Sequence, residues 1–158
     1  QSDGGSGGTI TPPAGDPLGG LVAGITPTKA TNAINVAIDP GDADALAVGA
    51  PTLTFTYTGG WRGDVADGEG RVFAQLVDDD TGIVLGSQIT PVEVVLDGKP
   101  HDVSVDLEMI AFHLRPGHTV TLQLVATTVA YAQPRLGGSL DASKISISLP
   151  VAKDVTPG

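Results

Sequence analysis

The stretch TLTFTYT, residues 52–58, decides the fold. Apolar and hydroxyl side chains alternate strictly along it, so Leu53, Phe55 and Tyr57 lie on one face of an extended chain and four threonines lie on the other. Successive side chains of a β-strand point to opposite faces of the sheet, whereas a helical face repeats every three or four residues. The stretch therefore predicts a strand with one buried face and one solvent-facing side, ended by Gly59-Gly60.

The same period of two recurs along the chain between turn residues. Val, Thr and Ile number 17, 16 and 9 among the 158 residues, and these β-branched side chains favour strands over helices. Because no long helical pattern alternates with the strands, the chain is predicted to be all-β, a two-sheet sandwich of eight or nine strands. The further alternating runs lie at residues 34–38, 71–77, 83–85, 92–96, 103–107, 120–124 and 145–149.

Turn chemistry predicts how some of these strands connect. DDDTG at residues 78–82 and Asp97-Gly98 are typical of tight turns, because Asp and Gly tolerate the backbone angles that hairpins need. Two segments resist a strand interpretation. Residues 106–113 place apolar side chains on one helical face and predict a single helical turn, and residues 133–143 are predicted to form a long loop.

Composition divides the chain into three parts. Residues 1–20 are almost entirely Gly, Ser, Pro, Thr and Asp, which predicts a flexible linker. Residues 21–152 are predicted to form the β-sandwich domain, and residues 153–158 a short C-terminal tail. The chain begins with Gln1 rather than Met. We therefore expect it to be a processed or excised part of a longer protein.

Charge excludes one class of partner. The formal net charge is -10 at pH 7, with 18 acidic and 8 basic residues, and nucleic-acid binding requires clustered Lys and Arg. No apolar run reaches the roughly 18 residues that a transmembrane helix needs. Cysteine is absent, so disulfides and zinc-thiolate sites are excluded.

No catalytic residue is predicted. The segment GGSGG at residues 4–8 spells the G-x-S-x-G motif of serine hydrolases, but Ser6 lacks the strand and helix that make such a serine reactive. His101, His113 and His118 are the only histidines. His113 and His118 flank a Pro-Gly turn, across which they would be able to share a metal ion. The alternative is that His118 bonds loop backbone at the start of a strand and that His113 is a surface residue.

Clusters of acidic residues offer hard oxygen ligands for calcium. The cluster at residues 64–69 is the best candidate, because Asp64, Asp67 and Glu69 place three carboxylates within six residues. Solvated turns are the competing interpretation, since Asp commonly bonds its own backbone in turns. A structural calcium ion therefore stays a possible cofactor. The other clusters lie at residues 39–44 and 78–80.

Trp61 is the single tryptophan and directly follows the best strand. An exposed indole there would be a stacking platform for a sugar, with Tyr131 as the other candidate aromatic residue. The alternative is that the ring closes the edge of the core or contacts a neighbouring domain, where it would bury a large apolar area. Both interpretations stay open.

Three segments carry a family resemblance: GAPTLTF at residues 49–55, RVFAQLVDDDTG at 71–82 and FHLRPGHTVTL at 112–122. In this order and spacing they resemble the C-terminal domain of X-Pro dipeptidyl-peptidases and cocaine-esterase-like (CocE/NonD) serine hydrolases. The resemblance covers residues 45–150. It implies a jelly-roll β-sandwich related to galactose-binding domains. It also implies that the catalytic Ser-His-Asp triad lies on a separate, preceding α/β-hydrolase domain.

The predicted function is accordingly that of a non-catalytic accessory domain of a serine acyl or peptidyl hydrolase, which packs on the catalytic domain and helps to shape its substrate pocket. A carbohydrate-binding module that uses Trp61 is one alternative, and an extracellular structural or adhesion module is another. The acidic, Thr-rich and Lys-poor composition is compatible with an exported bacterial protein. Oligomerisation stays open.

Overall fold

Ten β-strands and no helix make up the secondary structure of the described residues. The structure is a computed structural model that describes residues 2–5, 8–10, 28–39, 44–61, 68–127 and 136–152. No helix in these ranges is long and apolar enough to cross a membrane. The strands are β1 (Ser2–Gly5), β2 (Gly8–Ile10), β3 (Ile34–Ile38), β4 (Ala45–Gly49), β5 (Thr52–Trp61), β6 (Gly68–Asp78), β7 (Ile83–Asp106), β8 (Ile110–Leu114), β9 (Val120–Val125) and β10 (Gly138–Ser148).

One antiparallel path joins eight of these strands, in the order β1-β10-β5-β7-β6-β9-β3, with β2 also paired to β10. Strand β7 is 24 residues long and belongs to both halves of the path: its first part pairs with β6 and its second part with β5. The remaining strands, β4 and β8, form a separate two-stranded sheet.

The two halves face each other across one hydrophobic core. Phe55 on β5 and Leu122 on β9 belong to the same buried cluster, although their strands lie in different halves of the path. The prediction of an all-β sandwich is confirmed. The alternation at residues 52–58 is confirmed as well, because Leu53, Phe55 and Tyr57 are buried while the intervening threonines are not.

The turn after β6 is the hairpin that the sequence predicts. Asp78 pairs with Ile83, and the backbone N–H of Gly82 donates to the Asp78 carbonyl at 2.8 Å. Gly82 has a φ of +69°, a conformation in which a side chain would be strained. The Asp78 carboxylate also accepts hydrogen bonds from the backbone N–H of Asp80 and the hydroxyl of Thr81, which fixes the turn.

The predicted hairpin at Asp97-Gly98 is wrong. Strand β7 continues through both residues, and its pairing partner changes there from β6, where Leu96 faces Gly68, to β5, where Asp97 faces Gly60. Gly98 has a φ of +77°, so its backbone does take the conformation that the turn prediction invoked. The glycine therefore lets one strand pass from one half of the sandwich to the other rather than reversing the chain.

Two other local predictions are wrong. Residues 110–114, expected within a helical turn, form β8, whose Ala111 pairs with Val48 of β4. Residues 138–143, expected in a long loop, belong to β10, which pairs with β5. In both segments the backbone pairing overrides a weak local pattern.

The N-terminal strands pair along β10. Residues 2–5 and 8–10 form β1 and β2, and backbone hydrogen bonding of this kind needs no large side chains. The prediction of a flexible linker over residues 1–20 stays a prediction, because residues 11–20 lie outside the described part of the chain.

Residues 72–77 of β6 and the whole of β9 are buried on both faces. Their inner faces join the main core, and their outer faces form a second cluster that includes Phe73, Val77 and Val125. Residues 28–33, here called the covering segment, lie over this outer face, where Ala30 and Ala33 pack against the second cluster. The described part of the molecule therefore has a third layer on this side.

Candidate functional site

Trp61 is seated against glycine backbone. Its side chain is half-buried at the end of β5 and packs against the main core. A Cβ built on Gly68 would lie 2.0 Å from the ring, and one built on Gly137 would lie 2.4 Å from it, so both glycines are in close contact with the indole. Tyr131 lies outside the described residues, and the carbohydrate-platform interpretation stays a prediction.

Only one of the three predicted calcium ligands, Glu69, lies within the described residues. Glu69 is exposed on β6, where it pairs with Val95, while Asp64 and Asp67 lie outside the described ranges. The next exposed position, Arg71, donates to the Glu93 carboxylate at 2.9 Å. Calcium at residues 64–69 therefore stays a prediction.

Each histidine contacts an aspartate through Nε2. The distances are 2.8 Å from His101 to Asp97 and 2.7 Å from His113 to Asp44. His118 is the most buried of the three, with 13% of its side chain exposed. His113 and His118, considered above as a pair across the turn, thus contact different carboxylates.

His118 has two aspartates in reach. Its Nε2 lies 2.8 Å from Oδ1 of Asp78 and 3.1 Å from Oδ2 of Asp80. The three ligand atoms lie within 4.8 Å of one another. Pairing of β6 with β9 places Asp78 opposite Val120, two residues after the histidine, and this register builds the cluster. The ring of Phe112 packs against the imidazole at a centroid distance of 5.2 Å.

The sequence shows the two parts of this cluster but not their contact. His118 and the aspartates at 78–80 are each recognisable as ligand types, yet they are 38 or more residues apart. Only the neighbouring positions of β6 and β9 bring them together. Because periodicity does not tell which strands are neighbours, this cluster could not be assembled beforehand.

The surroundings of Asp78 stabilise its charged form. Burial raises the pKa of this carboxyl, but hydrogen bonds from Thr81, His118 and the backbone of Asp80 together outweigh burial, and the pKa lies below its ordinary value. The pKa of Asp97 is also lowered, first by the hydrogen bond from His101 and then by the backbone N–H of Lys99.

The cluster of Asp78, Asp80 and His118 has donor atoms that a divalent cation could use, two carboxylate oxygens and one imidazole nitrogen. A metal-bound histidine, however, almost always donates its other N–H to a partner. Nδ1 of His118 is buried and has no hydrogen-bond partner. Nε2 is the ring nitrogen that faces both aspartates.

The orientation of the histidine rings also differs from that of a catalytic triad. In a Ser-His-Asp triad, Nδ1 of the histidine faces the carboxylate and Nε2 faces the serine. His101, His113 and His118 all present Nε2 to a carboxylate instead. Ser6 of the GGSGG segment lies outside the described residues.

The fold defines a class of protein domain, the all-β sandwich. No protein-family model and no curated protein matches this sequence. Among solved structures, a CocE/NonD family hydrolase from Staphylococcus aureus matches with a TM-score of 0.55 and 11% identity, over 77% of this chain and 30% of that chain. A second structure of that hydrolase matches with a TM-score of 0.53 and 11% identity, over 76% of this chain and 30% of that chain.

An α-amino acid ester hydrolase matches in the same way, with a TM-score of 0.53 and 15% identity, over 76% of this chain and 25% of that chain. The chain thus has the fold of a part of these enzymes and spans 25–30% of their length. The resemblance to a domain of such hydrolases, predicted from three sequence segments, is confirmed at the level of the fold.

Proposed function

We propose that this chain is a non-catalytic accessory domain of a serine hydrolase, which packs against a catalytic α/β-hydrolase domain of the same protein and helps to shape its substrate pocket. The observation that carries the proposal is partial coverage: the fold matches 76–77% of this chain but only 25–30% of the matched hydrolases. A match of this kind is expected for one domain of a larger enzyme.

The chemistry of the described residues supports an accessory role. All three histidines present Nε2 to an aspartate, so none has the orientation of a triad base. Asp78 and Asp97 have lowered pKa values, which keep both carboxyls charged and make them unsuited to act as general acids near neutral pH.

The test compares the 158-residue chain with the complete protein from the same gene. Both are assayed with p-nitrophenyl esters and X-Pro p-nitroanilides, and a fluorophosphonate probe labels the reactive serine. We expect hydrolysis and labelling in the complete protein, with the labelled peptide outside residues 1–158. The isolated chain is expected to show neither.

A Ser6→Ala variant of both forms is the matched control, because it removes the only serine in a G-x-S-x-G context. Loss of activity in this variant would place catalysis in this chain and overturn the proposal. So would an intact mass showing that the complete protein has no hydrolase domain.

A further inference from the structure

The small β4–β8 sheet has an outward face that is apolar. In an antiparallel pair, residues opposite each other lie on the same face. The register therefore puts Val48 with Ala111, and Leu46 with His113, on the face turned away from the core. The core face is buried, as Ala47 on β4 and Leu114 on β8 show.

A third segment extends this face. The backbone N–H of Val48 donates to the Pro150 carbonyl at 2.9 Å, and that of Ala152 donates to the Leu46 carbonyl at 2.8 Å. These bonds flank the bridge between Ala47 and Val151, so Pro150 lies beside Val48 and Ala152 beside Leu46. Met109 directly precedes β8, two residues before Ala111, and its side chain is exposed.

We call these residues the apolar ribbon face; its members are Leu46, Val48, Met109, Ala111, Pro150 and Ala152. Val48 is 46% exposed and Met109 is 69% exposed. The outward side of an antiparallel sheet is normally polar, and adjoining exposed apolar residues mark interaction sites. His113, opposite Leu46, is the polar residue on this side of the sheet, and its Nε2 contacts the Asp44 carboxylate at 2.7 Å.

The size of this face favours a covalently linked partner. A stable interface between separate proteins uses about 20–30 residues a side, several times more than the apolar ribbon face offers. A domain on the same polypeptide does not lose translational freedom on contact, so a smaller apolar surface is sufficient. A second copy of the chain would need a larger surface.

We infer that the apolar ribbon face is where this domain contacts the catalytic α/β-hydrolase domain, through a complementary apolar and uncharged surface. The inference rests on the proposed function and specifies it further. The face is preformed, because its reverse side is part of the main core, so contact requires no rearrangement of β4 or β8.

Met109 reports on this contact directly, since it is the only methionine of the chain and lies within the face. Hydrogen peroxide oxidises exposed methionine, and peptide mass spectrometry follows the Met109 peptide in the isolated chain and in the complete protein. We expect oxidation to be at least about fivefold slower in the complete protein. Val48→Lys should restore the fast rate there without shifting the urea midpoint of the isolated chain.

Thr54→Lys, on the polar outward side of β5, is the matched control and should leave Met109 protected. Equal oxidation rates in the isolated chain and in a complete protein that contains a labelled hydrolase domain would overturn this inference but not the proposed function. A complete protein without that domain would overturn both. Protection of Met109 that rises with the concentration of the isolated chain would identify a second copy as the occupant and also overturn the inference.

Discussion

Strands β5 and β9 lie in the same sandwich but are buried differently. On β5, three apolar side chains face the core and the threonines between them face outward, with Thr52 and Thr56 bonded to Asp106 and Asp102 of β7 at 2.8 and 2.6 Å. On β9, all six residues from Val120 to Val125 are buried. One half of the sandwich thus has a polar outward face, whereas β9 and residues 72–77 of β6, in the other half, have a second interior.

The difference shows how a polar side chain can hold an extra layer in place. Gln123, which points away from the main core, is fully buried under the covering segment. Its Oε1 accepts from the Ala30 backbone N–H and from Gln75, each at 2.9 Å, and its Nε2 donates to the Ala30 carbonyl at 3.0 Å and to Asn35 at 2.7 Å. All four hydrogen-bonding positions of the amide are used, so burial leaves none unsatisfied.

Phe73→Ala should cause the largest loss of stability among the variants that compare the two halves of the sandwich. Phe73 lies on the outward side of β6 but is 1% exposed, and truncation of a buried phenylalanine costs about 3–5 kcal/mol of stability. Thr54→Ala, at an outward position of β5, should change the free energy of unfolding by less than about 0.5 kcal/mol. Urea unfolding followed by Trp61 fluorescence measures both. Similar losses would mean that the two outward faces are not different environments.

Gln123→Leu should have the next largest effect. The side chain keeps its approximate volume but leaves the Ala30 backbone and the Gln75 amide without this partner, and each buried unsatisfied group costs about 1–3 kcal/mol. Urea unfolding should show a loss in this range or above, and the Ala30 amide should exchange with solvent faster. Gln88→Leu, at an exposed glutamine, is the control and should change stability little. An unchanged exchange rate at Ala30 would show that Gln123 does not hold the covering segment.

The sequence predicted each half of the sandwich to a different extent. Strict alternation at residues 52–58 correctly predicted a strand with one solvent-facing side. The runs VFAQLV at 72–77 and VTLQLV at 120–125 also predicted strands, but their burial on both sides depends on the covering segment, which has no alternating pattern of its own. A single glutamine at the same place in each apolar run, Gln75 and Gln123, was the available signal, since these two residues pair across β6 and β9.

Contacts between distant segments were the part that the sequence could not predict. Asp97-Gly98 has the local conformation of a turn, but the strands on either side have different partners, and only the whole sheet decides this. The contact of His118 with Asp78 depends on the same long-range order. Local chemistry limits backbone angles and exposure, whereas strand neighbours follow from the packing of the complete domain.

The smallest of the expected effects is a change in how strongly acid lowers the stability of the domain. It concerns Asp78, the last residue of β6. The pKa of Asp78 is lower in the folded chain than its ordinary value of 3.8, because hydrogen bonds to the carboxylate outweigh the effect of burial. Its stabilising contribution is therefore complete above the unfolded-state pKa, and it is lost as the pH falls through the folded-state pKa. Thr81→Ala removes one of these bonds and should make the urea midpoint less sensitive to pH between about pH 5 and 2.

Thr58→Ala provides the contrast on the polar face of β5. This threonine is exposed, and its substitution should leave the acid dependence of the wild-type chain unchanged. If Thr81→Ala also leaves that dependence unchanged, the turn after β6 does not hold the Asp78 carboxylate in its charged form. If both variants flatten it equally, the acid sensitivity belongs to the domain as a whole, and the two halves of the sandwich do not differ in this property.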